Sequence, residues 1–350
     1  MRRFSMAWLA PASIFIAGAT SAQDVSDAVV KQLVNDTAQA VSEMYLYPEK
    51  RPAIVERLRK AEASGRYRVK DRTALAAAIT DDLQAVTHDL HMSVKYKPDA
   101  LAMMKGGAAG PGGAGPGGQA VMLEEARTNN QGIVDLRVLP GNVRYMKLNR
   151  FFWVPGKTAA AFDRAVEFLN EGDAVIIDIS ETGGGSPAGV RYLVSHFMDP
   201  NVKLMTYLSS VEGNSESRTE KVPARLKQPF VLIAGPRSAS AAEEFAAHVK
   251  NFKLGPIVGE KTAGAGNRNV MMMTQDGFQI SISVATALHA VTNRGWEGNG
   301  IEPDVPSTKA DALRTAHVTA LQAVRETAAG SKTATLDKLI AEVKSGAKAF

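Results

Sequence analysis

Two stretches of this chain, Ala174-Val-Ile-Ile-Asp-Ile-Ser180 and Phe230-Val-Leu-Ile-Ala234, run apolar with almost no in-out alternation. A strand that is apolar on both faces is stable only inside a sheet covered on both sides, which is the setting of a parallel α/β architecture. Each run leads through a turn into a helical segment. Gly183-Gly184-Gly185 and a helix from Pro187 to Phe197 follow the first; Gly235-Pro236 and a helix from Ala241 to about Phe252 follow the second. Pro187 suits the first turn of a helix, where a missing N–H is no loss. Val143 to Leu148, Pro256 to Gly259 and the alternating Phe278 to Val284 read as further strands, and Thr158 to Asn170 as a helix.

The region ahead of this unit has a different period. Val30, Leu33, Val34, Val41 and Tyr45 recur at helical spacing up to Pro48. Pro52 opens a second helix carrying Ile54, Val55 and Leu58, closed by Ser64-Gly65. Leu75, Ile79, Leu83 and Val86 form one apolar stripe of a third. Residues 23–98 are therefore expected to be a small three-helix domain. The glycine- and proline-rich tract within 99–120 lacks the strict triplet period of collagen and reads as a disordered connection. The α/β domain spans 121–310, and 311–350 is a helical tail with no site signal.

At the other end, Arg2-Arg3, an apolar stretch from Met6 to Ala19 and the small residues Thr20-Ser21-Ala22 have the form of a signal peptide. Residues 1–22 are expected to be removed and the protein to be periplasmic or secreted. The stretch is too short and too interrupted by Pro11 to span a bilayer, so no integral membrane segment is expected in the mature chain. With 41 basic and 36 acidic residues spread along its 350 positions, the chain lacks the clustered charge of a nucleic-acid binder. It has no cysteine, which excludes disulfides, thiolate metal sites and a cysteine nucleophile.

Four segments can carry chemistry. Ser238-Ala-Ser240 lies between a buried strand and a helix whose first N–H groups can stabilise an oxyanion, although Ser240 and Glu243 also form a capping box. Gly183-Gly184-Gly185 can bring bare backbone close to a substrate, or can be a plain turn; it is neither a P-loop nor a dinucleotide fingerprint. His91 is of the type that takes a proton near neutral pH, with an exposed loop position or a metal pair with His88 as alternatives. A carboxylate within Trp296-Glu-Gly-Asn-Gly-Ile-Glu-Pro-Asp304 can orient an imidazole or simply be a solvated loop acid.

Taken together, Ile176-Ile-Asp-Ile-Ser-Glu-Thr-Gly-Gly-Gly-Ser-Pro187, Ser238-Ala-Ser-Ala-Ala-Glu-Glu-Phe245, Ile257-Val-Gly-Glu260 and Trp296 to Asp304 resemble peptidase family S41. Tyr47-Pro48-Glu49 and the His-Asp-x-His segment make the match closer to the interphotoreceptor-retinoid-binding-protein-like branch. The resemblance implies a crotonase-like α/β core, with no room for a PDZ domain, and an exported serine endopeptidase cutting unstructured peptides or protein tails. It implies Ser240 as nucleophile, His91 as base and Glu297 as its partner, with N–H groups of Ala241 and of Gly184 or Gly185 as oxyanion hole. No cofactor and no metal are implied. Ala265 stands where the processing branch has a base lysine, Asn251 where it has an aspartate, and Lys261 is a poor substitute for the lysine. Leu90 before the histidine and Glu181-Thr182 before the glycines also depart from the family pattern. Because a relative binds retinoid, the alternative is a non-enzymatic binder of hydrophobic ligands or peptides.

Overall fold

The computed structural model describes residues 25–105 and 116–347. The signal-peptide segment and the middle of the glycine tract lie outside the described residues.

In chain order the elements are α1 (Asp27–Met44), α2 (Arg51–Ala63), α3 (Arg72–Thr87), β1 (Ser93–Tyr96), α4 (Pro98–Lys105), α5 (Pro116–Thr128), β2 (Ile133–Leu139), β3 (Val143–Leu148) and α6 (Lys157–Asn170). They continue with β4 (Ala174–Asp178), α7 (Pro187–Ser195), β5 (Lys203–Ser209), β6 (Ser215–Arg218), β7 (Phe230–Ala234), α8 (Ala241–Asn251) and β8 (Ile257–Gly259). The last are β9 (Asn267–Met273), β10 (Phe278–His289), β11 (Val305–Pro306), α9 (Ala312–Thr327) and α10 (Ser331–Ser345).

One sheet has the order β11-β8-β7-β4-β3-β2, parallel except for the β2–β3 pair. Its two central strands explain the apolar runs. Val175, Ile177 and Leu232 face a core shared with α6, α7 and α8, while Ile176, Val231 and Ile233 face α9 and α10. Each such buried side chain contributes about 1.5–3 kcal/mol, so helices are needed on both faces. The C-terminal segment therefore is not an appendage: it is the cover of one face, through Ala316, Ala320, Leu321 and Ile340.

The second sheet is antiparallel, in the order β1-β10-β5-β6 with β9 on the other edge of β10. It joins the N-terminal segment to the α/β unit. The three helices appear as predicted, but β1 belongs to the N-terminal segment and pairs Ser93 to Tyr96 with Ser281 to Phe278. The helices close over Phe278, Ile280, Ile282 and Val284 of β10 in one continuous core. The stretch expected to be a disordered connection, 99–120, is also corrected at both ends, since α4 and the start of α5 fall within it. The strand expected to end at Val284 runs on to His289, and β1, β2, β5, β6 and β9 were not predicted. No helix among the described residues is long and apolar enough to cross a membrane.

Candidate active site

Adjacent parallel strands deliver two loops to one end of the sheet. After β7, the chain turns through Ser238, whose hydroxyl donates to Ile179 O at 2.8 Å and accepts from Gly235 N at 3.1 Å. That serine is fully buried and pins the turn. Two residues on, Ser240 is the N-cap of α8 at φ 54° and ψ −118°, a conformation that disfavours any side chain and costs about 1–3 kcal/mol. The partly exposed Ser240 is thus the serine left for chemistry.

Glu243 holds it there. Its buried carboxylate accepts from Ser240 N at 3.0 Å, Thr262 Oγ1 at 2.6 Å, Gly264 N at 2.6 Å and Ala265 N at 2.7 Å. Burial pushes the Glu243 carboxyl up, and these four donors pull it back. The capping reading and the nucleophile reading of this segment are compatible: Glu243 caps, and the strained Ser240 keeps a hydroxyl at a helix N-terminus whose first N–H groups, Ala241 among them, have no intrahelical acceptor.

The loop after β4 lies alongside. Thr182 O accepts from Ala239 N at 3.1 Å, which ties the two loops together. Gly184 O accepts from Phe151 N at 3.0 Å and Phe151 O from Ser186 N at 2.7 Å, so a short parallel bridge holds the glycines. Gly184 has φ +117°, and a Cβ on it would stand 2.9 Å from Ser240 Cβ. Only a glycine fits there. Gly185, at φ +141°, packs against the Phe151 backbone instead.

His91 lies between α3 and β1. His88 is exposed, in left-handed conformation at the end of α3, and is not part of the group that His91 forms with Asp89 and Glu297. Leu90 points outward and is 51% exposed. Asp89 is buried: its Oδ1 accepts from His91 N at 2.8 Å and its Oδ2 from Asn267 Nδ2 at 2.8 Å. His91 O accepts from Ser281 Oγ on β10 at 2.6 Å. The imidazole Nδ1 is buried with no hydrogen-bond partner and lies 3.9 Å from Asp89 Oδ1. Burial lowers the His91 pKa, against the pull of Asp89, so the ring is neutral near pH 7.

Glu297 comes from the loop after β10. Its Oε2 accepts from Gly266 N at 2.6 Å and Asn267 N at 2.7 Å, while its Oε1 is buried without a partner. Burial, reinforced by the Asp89 charge, pushes its pKa up to about 7. Asp89, His91 and Glu297 each offer an atom within 4.8 Å of the others. The Tyr45 hydroxyl, buried and unpartnered at the end of α1, feels the charges of both carboxylates.

That cluster is the donor set nearest to a metal site among the described residues. Both Asp89 oxygens and one of Glu297 accept hydrogen bonds, while His91 Nδ1 and Glu297 Oε1 have no partner. Of the positions where the processing branch differs, Ala265 is buried and gives its N–H to Glu243, and Lys261 pairs with Glu302 at 2.8 Å.

The structure thus brings His91 and Glu297 together from either end of the chain and sets Gly184 against Ser240. Asp89, Asn267 and Tyr45 were missed as functional candidates in the sequence. The acid between two histidines was the available signal for Asp89; nothing local marks the other two.

The profile of peptidase family S41 matches residues 142–307, and that of the N-terminal domain of peptidase S41 in eukaryotic IRBP matches residues 20–116. Both are models of peptidase S41 regions, and together they cover residues 20–116 and 142–307 of this chain. It is 33% identical over 159 residues to the chloroplastic C-terminal processing peptidase of Tetradesmus obliquus, a match covering 42% of this chain and 32% of that protein. It is 24% identical over 186 residues to the carboxy-terminal processing protease CtpA of Bacillus subtilis (strain 168), covering 52% and 39%. The chain spans about a third of the length of the curated relatives it matches. Among solved structures it shares a fold with the photosystem II D1 C-terminal processing protease, at TM-score 0.51 and 18% identity over 84% of this chain and 98% of that one. Mature CPAF complexed with lactacystin matches at TM-score 0.55 and 12% identity, over 91% and 99%.

Proposed function

We propose that this chain is an exported serine endopeptidase that cleaves unstructured peptides or protein tails. Ser240 Oγ attacks the scissile carbonyl carbon while His91 takes its proton. Glu297, ionised, faces the imidazolium that forms. The N–H groups of Ala241 and of Gly184 or Gly185 receive the oxyanion. The C–N bond then breaks, His91 returns the proton to the leaving amine, and water repeats the sequence to release the acyl group from Ser240.

The observation that carries this reading is the meeting of His91 and Glu297, each with a buried polar atom lacking a partner, beside a segment that also holds the Ser240 cap. Unpaired buried polar atoms cost about 1–3 kcal/mol each and are kept where chemistry needs them. The processing function named for the relatives supports tails as substrate, and the basic-apolar-small order of residues 2–22 supports export.

The test is intact-mass analysis after incubation with a fluorophosphonate. A single adduct on the wild type, lost in Ser240→Ala and reduced in His91→Ala, is expected. A folded wild type that takes up no label would overturn the hydrolase reading and move the function to binding of apolar ligands or peptides in the same cleft.

A further inference from the structure

We propose that Asp89, a residue with no part in the Ser240-His91-Glu297 set, is the positioning residue that locks the His91 loop onto Asn267 and through it onto Glu297. The inference rests on the catalytic reading of His91.

A ring of contacts runs from His91 through Asp89 and Asn267 to Glu297, closed by the approach of Glu297 to His91 within 4.8 Å. Asp89 Oδ1 accepts from His91 N and its Oδ2 from Asn267 Nδ2, both at 2.8 Å. Asn267 in turn gives its backbone N–H to Glu297 Oε2 at 2.7 Å. The His91 backbone is thereby fixed relative to Glu297 by two hydrogen-bonded residues, Asp89 and Asn267. Asp89 is buried, and a buried carboxylate with both oxygens bonded has one geometry available. It comes from the N-terminal unit and Asn267 from the start of β9, so the ring closes only when the helical unit is docked.

Asp89 also acts by charge. It sits 3.9 Å from His91 Nδ1 and opposes the effect of burial on that ring. The other charged groups bearing on the cluster are Lys95 of β1, which disfavours the imidazolium, Glu297, and Glu243, whose charge acts on Glu297. The hydroxyls of Tyr45 and Tyr47 feel the charges of Asp89 and Glu297. Asp89 is thus the group that stabilises a protonated His91 whichever state Glu297 is in.

Two variants separate the roles. Asp89→Asn removes the charge and one acceptor; Asn267→Ala opens the ring but leaves the charge. The first readout is the His91 ring titration, followed by NMR with labelled histidine, of which the chain has only 6. Asp89→Asn is expected to lower the His91 pKa by about one unit or more, and Asn267→Ala to leave it nearly unchanged. The second readout is the rate of fluorophosphonate labelling of Ser240, expected to fall about ten- to a hundredfold in both, the scale of a misplaced catalytic group. A His91 titration unmoved in Asp89→Asn, or labelling at the wild-type rate in both folded variants, overturns the proposal. A wild type that takes no label overturns the catalytic reading instead, and the titration still reports whether Asp89 governs His91.

Discussion

Glu243 and Glu297 divide four consecutive backbone amides between them. Glu243 takes the N–H groups of Gly264 and Ala265, and Glu297 those of Gly266 and Asn267, all at 2.6–2.7 Å. One carboxylate also holds Ser240 N; the other meets His91 and Asp89. The segment 264–267 is therefore a ruler between the serine side and the histidine side of the site.

Glu243→Gln tests that ruler. A glutamine amide cannot accept with both ends, so two of the four buried donors face an NH2 group. Stability should drop by about 2–4 kcal/mol, the scale of lost hydrogen bonds to a buried charge. Labelling of Ser240 should slow about a hundredfold as its backbone relaxes. Thermal unfolding and label uptake, read side by side, check both numbers. A variant with wild-type melting and wild-type labelling would show that Ser240 does not need this anchor.

Gly184 and Gly185 should fail differently. In Gly184→Ala the new Cβ meets Ser240 Cβ at 2.9 Å, so activity should be lost with a modest change in melting temperature. In Gly185→Ala it meets Phe151 O at 2.1 Å, backbone against backbone, and the fold itself should suffer. Circular dichroism melts of both, compared with labelling rates, separate the outcomes.

The pH dependence has a definite sign. Folding raises Glu297 from the ordinary 4.5 to about 7, so the folded state binds its proton more tightly than the unfolded chain. The stabilising contribution is complete below about 4.5 and is lost as pH rises through about 7. Wild type should therefore lose stability relative to Glu297→Gln across that interval, while its Ser240 labelling rises as Glu297 ionises. Denaturant melts of the pair from pH 4.5 to 8 measure the difference; a constant gap across the range would remove Glu297 from the account.

The α/β unit should not fold without the helices. Residues 121–350 alone would expose the row Phe278, Ile280, Ile282 and Val284 that α1, α2 and α3 cover, and would leave one edge of β10 without β1. Each uncovered side chain forfeits about 1.5–3 kcal/mol. Aggregation of that fragment, relieved by co-expression of residues 23–98, is expected on size-exclusion chromatography. A monodisperse fragment with a cooperative melt would argue for two independent cores.

Much of the site could be read locally because its parts sit at strand-to-helix turns. Ser240 and the glycine triplet follow apolar runs whose burial on both faces forces them to one end of a parallel sheet. The weaker predictions were those in which the partner is remote. Asn267 begins a strand of mixed polarity, Asn267 to Met273, that has no strong alternation, and β1 is four residues long. Neither carries enough periodicity to announce itself, and both are strands only because β10 lies between them.

The parallel core and the three helices follow from the sequence alone, because they rest on local periodicity and turn residues, while Ser240, His91 and Glu297 became candidates as a set through the resemblance that the order of the motifs carries. What only the tertiary structure decided is that the helical unit and the α/β unit share a sheet, that Asp89 and Asn267 join His91 to Glu297, and that Glu243 anchors Ser240. Those relations depend on hydrogen bonds between segments as much as 190 residues apart, and no spacing rule connects positions that only a packed core brings within 3 Å.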